Sequence, residues 1–207
     1  MADEQNLSEA ERLERLWSED FGNEYVVRNA DAGEGRGAFW SRVVEEHAPV
    51  SVLEVGCNVG ANLRWLADLV PQRDVVGVDI NEDALRRIRK RLPEISAVHA
   101  AGRELPFRDR WFDLVFTAGV LIHQPEATLP LVMSEVVRCS NRLVLAVEYY
   151  AEETVDVPYR GHEGALFKRD YGRLYRELFP ELKQLDTGRL GAEEGWDDVT
   201  WWLFTRR

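Results

Sequence analysis

The stretch Ser51–Leu63, SVLEVGCNVGANL, constrains this chain more than any other. Val52, Leu53 and Val55 make an apolar run that carries a carboxylate at Glu54. The chain then passes through Gly56, Cys57, Asn58, Val59 and Gly60 into an amphipathic segment that reaches Val70. A buried strand, a glycine turn and a helix are the expected elements. Glycines at 56 and 60 permit a tight turn and a ligand close to the backbone, with the first helical N–H groups facing it. Two well-known loops are excluded. A phosphate-gripping loop needs Lys-Ser/Thr after its last glycine, and Ala61-Asn62 stands there. A dinucleotide fingerprint needs G-x-G-x-x-G, and Cys57-Asn58 interrupts it.

Strand and helix patterns alternate after this turn. Asp74–Ile80 predicts a second buried strand ending at Asp79. Ala84–Leu92 predicts a basic surface helix. Ile95–Ala101, Trp111–Thr117 and Arg142–Tyr149 predict three further strands, with a helix over Leu129–Cys139. Such alternation implies a parallel sheet with right-handed crossovers. Phe167–Phe179 predicts a last helix. Leu182–Leu190 and Val199–Thr205 predict an antiparallel hairpin at the sheet edge. Ahead of the first strand, Leu7, Leu13, Leu16 and Trp17 recur at helical spacing, and a glycine-rich bend follows at Gly33, Gly35 and Gly37. A second helix is expected over Phe39–Glu46. Residues 1–48 are therefore expected to form a helical arm or lid, and 49–207 the main α/β unit.

At 207 residues the chain suits one domain with a sizeable core. A formal charge of −11 argues against a surface that tracks nucleic acid. Cys57 and Cys139 lie in apolar context, as in a reduced cytoplasmic protein. No 18-residue apolar run predicts a membrane span, and the acidic N-terminal segment is wrong for a signal peptide. A small-molecule partner is expected, with no nucleic acid, no membrane and no metal.

Ligands of open α/β sheets bind beyond the carboxyl ends of the strands. Asp79 is spaced to accept hydrogen bonds from a ribose diol, unless it or Asn81 caps the following helix. The motif E-x-G-x-x-x-G resembles the first motif of class I S-adenosylmethionine (SAM) methyltransferases, with Asn58 in place of the usual middle glycine. That class often carries an acid before Leu-Pro-Phe; here Ala101 and Gly102 precede Leu105-Pro106-Phe107. The segments TAGVLIHQP, RCSNRLVLAVEYY, VPYRGHEGALFKRD and DDVTWWLF, with FGNEYVVRN, resemble the pseudaminic acid biosynthesis-associated methylases, a branch of that class. The likeness runs from about Trp17 to Phe204.

The resemblance implies a Rossmann-like fold, a mostly parallel seven-stranded sheet with an antiparallel final strand and helices on both faces, and SAM as cofactor. Tyr25, Arg28, Glu54, Gly56, Cys57, Asn58, Asp79, Ile80, Ala101, Gly102 and Thr117 are the candidates to hold it, Arg28 at the methionine carboxylate unless it pairs with Glu24. A methyl on a sulfonium is already activated, so the protein must chiefly position a nucleophile. His123, Tyr149 and His162 are candidate bases, beside Glu148 and Tyr150. Tyr150, Tyr159 and Arg160 are candidates for the substrate mouth, Arg160 through its forked donors. The expected function is a SAM-dependent methyltransferase acting at N or O of a small sugar- or amino-acid-derived metabolite in a biosynthetic pathway. Two alternatives are a cyclase converting SAM to a cyclic amino acid and methylthioadenosine, and a silent SAM-binding partner protein. A nicotinamide oxidoreductase is disfavoured by the failed fingerprint.

Overall fold

The strand Val52–Val55 (β1) is buried at all four positions, the pattern of a strand covered on both faces. It lies between Val75–Asp79 (β2) and Phe112–Ala118 (β4), parallel to both. Ser96–His99 (β3) extends the sheet beyond β2, and Ser140–Glu148 (β5) extends it beyond β4. The hairpin of Leu182–Leu190 (β8) and Val199–Arg206 (β9) completes it. β9 runs antiparallel to β5, giving the order β3-β2-β1-β4-β5-β9-β8. This computed structural model describes residues 8–30 and 32–206. Leu7, part of the expected N-terminal helical pattern, lies outside them.

Helices cover both faces. Gly37–His47 (α3), Leu63–Leu69 (α4) and Glu82–Arg91 (α5) pack on one, where Val52, Phe116 and Leu145 meet Trp40, Leu66 and Ile88. Leu129–Cys139 (α6) and Tyr171–Leu178 (α7) pack on the other, where Leu53, Val115 and Ala146 meet Met133, Val136 and Tyr175. Successive strand residues enter opposite cores, as the two-residue period requires. The Trp201–Phe204 run follows that rule: Trp201 and Leu203 fill the first core, Trp202 and Phe204 the second.

Two segments depart from the sequence expectation. The last helix begins at Tyr171, because Asp170 accepts from the Arg173 N–H and caps it there. Phe167–Lys168 (β7) instead pairs with Val155–Asp156 (β6) in a small hairpin, and Arg169 is buried, donating to the Gln124 carbonyl. Upstream, Glu9–Ser18 (α1) is followed by an unanticipated helix, Asp20–Arg28 (α2). Its Gly, Asn and two Val residues are weak helix formers, so propensity hides it. Packing against α1 and α5 supports it, with Val26 buried beside Val59 and Ala84.

Candidate active site

The turn after β1 is built by its neighbours. Gly56 has φ +74°, and a Cβ there would stand 2.4 Å from a Val120 methyl. Asn58 has φ +44°, a left-handed conformation that Asn tolerates better than most residues. The Gly56 and Cys57 N–H groups donate to the Val78 carbonyl at 2.8 and 2.9 Å. Cys57 is buried against Gly77, whose missing side chain makes the room, and burial pushes its thiol well up. The Asn58 N–H donates to Asp79 Oδ2 at 2.7 Å, and the Asn81 N–H to Asp79 Oδ1 at 2.8 Å. Asn81, not Asp79, caps α5, accepting from the Ala84 N–H at 2.9 Å. Asp79 is thereby left at the strand end facing a cavity, and burial raises its pKa against the pull of those N–H groups.

Beside the turn lies a buried polar cluster. Glu54 accepts from Asn62 Nδ2 at 2.6 Å. Arg36 donates from Nη1 to Asn62 Oδ1 at 3.0 Å and from Nε to the Gly195 carbonyl at 2.9 Å, while its guanidinium lies 3.9 Å over Trp196. Burial pushes the Glu54 carboxyl up to about 8, against the opposing effects of Asn62 and Arg36. Its Oε2 is buried with no hydrogen-bond partner among the described residues, and so is Asn58 Oδ1.

These groups line a cavity of about 530 Å³ at the carboxyl ends of β1, β2 and β4, within the usual range for small-molecule clefts. The helices α1 and α2 roof it. Asn81 Nδ2 holds α1 through the Trp17 carbonyl at 3.0 Å, and Arg103 holds it through Glu14 at 3.0 Å. The Trp17 ring sits 4.2 Å from His123 and 5.3 Å from Tyr25. His123 Nδ1 lies 2.6 Å from the Ala165 carbonyl. That contact places the proton on Nδ1 and leaves Nε2 as an acceptor. Burial holds the His123 imidazole down at about 4, so it is neutral at pH 7. Glu148, at the end of β5, accepts from the Val120 and Leu121 N–H groups at 3.0 and 3.2 Å and pins the loop that carries His123. Burial raises Glu148 to about 7. At the rim, the Tyr149 hydroxyl donates to Asp197 Oδ2 at 2.8 Å.

Residues 52–142 match the methyltransferase-domain family. A probable S-adenosylmethionine-dependent methyltransferase of Mycolicibacterium smegmatis is 32% identical over 84 residues, covering 41% of this chain and 32% of its own. A malonyl-[acyl-carrier protein] O-methyltransferase of Legionella pneumophila is 34% identical over 97 residues, covering 45% of this chain and 34% of its own. The chain thus spans about a third of the length of these curated relatives. Among solved structures, the 1,6-didemethyltoxoflavin-N1-methyltransferase of Burkholderia thailandensis superposes with a TM-score of 0.74 at 14% identity, over 97% of this chain and 91% of that one. The fold is that of the class I methyltransferases.

Within this methyltransferase fold, the cavity gathers most residues singled out in the sequence. Tyr25, Arg28, Glu54, Gly56, Cys57, Asn58, Asp79, Ile80, Ala101, Gly102, His123, Tyr149, Tyr159 and Arg160 all line it. Arg28 is also paired with Glu24 at 3.4 Å. Four residues lie outside the lining. Strand alternation turns Thr117 into the interior, where it is fully buried. Tyr150 is exposed and lies against Trp202. His162 closes a tight turn with Tyr159 and packs edge-on against Phe21. Glu148 also lies outside, engaged by backbone N–H groups. Arg36, Asn62, Trp17 and Glu14 line the cavity without having been anticipated, and Trp196 and Asp197 of the GRLGAEEGWDDVTWW tail line it as well. The acidic Glu14 reaches the region of Ala101 from α1, so a carboxylate is supplied from another element. An Arg inside a glycine-rich bend was the one sequence signal for Arg36.

Proposed function

We propose that this chain is a SAM-dependent methyltransferase acting at N or O of a small sugar- or amino-acid-derived metabolite in a cytoplasmic biosynthetic pathway. The carrying observation is Asp79, held by the Asn58 and Asn81 N–H groups at the end of β2 and open to the cavity. The cavity fits the cofactor's chemistry. Asp79 offers acceptors to a ribose diol, and the Gly56 bend admits a close backbone approach. The unpartnered Glu54 Oε2 and the Arg36 guanidinium suit an ammonium and a carboxylate on one carbon. Arg36 is better placed than Arg28 for that carboxylate, because Arg28 already has Glu24. Ile80, Ala101 and Gly102 would flank the adenine, with Glu14 near its amino group.

When bound, SAM supplies a methyl group activated by its sulfonium. The chain's task is to orient a nucleophile behind that methyl and to exclude water. The α1–α2 roof serves as a lid over 49–207, and Tyr159 and Arg160 close the mouth from the β6–β7 hairpin. His123 presents its Nε2 lone pair to an acceptor N–H or O–H, while Tyr149 and Asp197 carry a proton towards solvent. The resemblance to pseudaminic acid-associated methylases supports a sugar-like acceptor, and the acidic surface supports a partner other than nucleic acid.

Calorimetry with SAM and S-adenosylhomocysteine tests the cofactor; a Kd weaker than about 1 mM for both would remove the reading. Mass spectrometry tests the reaction, with acceptor-dependent S-adenosylhomocysteine as the expected product. Methylthioadenosine formed from SAM alone would replace transfer by cyclisation, and binding without turnover would leave a silent partner.

A further inference from the structure

We infer that the end of the cavity between the lid and the rim is a receptor for a cationic amine, so that the acceptor atom is nitrogen. The inference rests on the cofactor reading above and narrows it. Trp17 is the hub: its ring lies 5.3 Å from Tyr25, 6.4 Å from Tyr159 and 4.2 Å from His123. Tyr149 joins them from the end of β5 with its hydroxyl on Asp197. These aromatic side chains and the Asp197 carboxylate line the cavity together, and such a lining attracts a positive charge and offers an anion little.

The nearby cations do not reverse that sign. Arg36 faces Glu54 and Asn62, Arg103 is paired with Glu14, Arg28 lies 5.8 Å over the Tyr25 ring and is paired with Glu24, and Arg160 is exposed at the hairpin tip. His123 is held neutral by burial and adds no positive charge. The Trp17 Nε1–H is buried with no acceptor among the described residues. An amine that also bears an oxygen, as an amino sugar or amino-acid derivative does, would satisfy it. The step balances simply. The ammonium gives its proton to water by way of Asp197. The freed nitrogen lone pair then forms the N–C bond as the C–S bond breaks, and the pair stays on sulfur.

Choline and its uncharged isostere 3,3-dimethylbutan-1-ol are the probes, titrated into protein saturated with S-adenosylhomocysteine and followed by calorimetry. Choline should bind about tenfold more tightly than the isostere. Asp197→Asn, a change at an exposed rim position, and Tyr159→Leu should each cut choline affinity by about three- to tenfold while S-adenosylhomocysteine binding is retained. Equal binding of the two probes, or binding of neither to loaded protein, would overturn the inference. So would methylthioadenosine from SAM alone, which would put the cofactor's own amine in the box. A protein that fails to bind S-adenosylhomocysteine at all would remove the underlying reading instead.

Discussion

Asp79 and Gly56 carry the sharpest expectations at the scale of single residues. Asp79→Asn keeps an oxygen for one backbone N–H but removes the charge that strengthens every hydrogen bond it accepts. S-adenosylhomocysteine affinity should fall by about ten- to a hundredfold in calorimetry, the range for a charged hydrogen bond. Gly56→Ala meets both a left-handed backbone and the Val120 methyl, and should lower unfolding free energy by about 1–3 kcal/mol in urea. Asn58→Gly relieves a left-handed residue and should change it by less than about 1 kcal/mol. His123 gives a pH signature. Its folded pKa of about 4 lies below the ordinary 6.5, so the unfolded chain binds the extra proton first. Its contribution is intact above about pH 6.5 and is lost as pH falls towards 4. Wild type should lose on the order of 3 kcal/mol relative to His123→Gln across that window, read from urea midpoints at each pH.

At the scale of elements, the α1–α2 pair over the cavity is the informative part. Asn81 sits where α1, α2 and α5 meet. It caps α5 and donates to the Trp17 carbonyl and to Asn23 Oδ1. Asn81→Ala removes a cap and two tethers, and should cost about 1–3 kcal/mol. Hydrogen exchange should then rise over 9–28 more than over β1 or β4, because α1 and α2 bury few apolar groups in the main cores. Uniform acceleration across the chain would contradict a separate tethering of α1 and α2 by Asn81. The sequence concealed α2 because weak helix formers outnumber Glu24 and Arg28 in FGNEYVVRN, and it extended α7 forward because periodicity cannot see that Asp170 caps the helix.

For the whole molecule, the cavity draws walls from the β1, β2 and β4 turns, α1 and α2, the β6–β7 hairpin and the segment before β9. A ligand that bridges them stabilises the folded state by mass action. S-adenosylhomocysteine at a hundred times its Kd should add about 2.7 kcal/mol and raise Tm by roughly 5–10 °C. An unchanged melting curve would count against the site.

The fold was legible because strand burial, helix period and the glycine turn are local patterns that agreed with one another, and a parallel sheet has few ways to connect them. Asp79, Glu54 and the Gly56–Asn58 bend were legible for the same reason: they stand at strand ends, where chain order alone fixes the geometry. What the sequence could not decide is which distant side chains meet. Arg36 reaches Asn62 and Glu54, Glu14 reaches the Ala101 region, and Trp17 reaches His123 across separations that no periodicity encodes. Thr117, Tyr150 and His162 stand beside cavity residues in the sequence, yet strand alternation and one tight turn point them elsewhere. Packing settles such contacts, because a side chain's direction depends on the element beneath it and its neighbours on the elements folded over it.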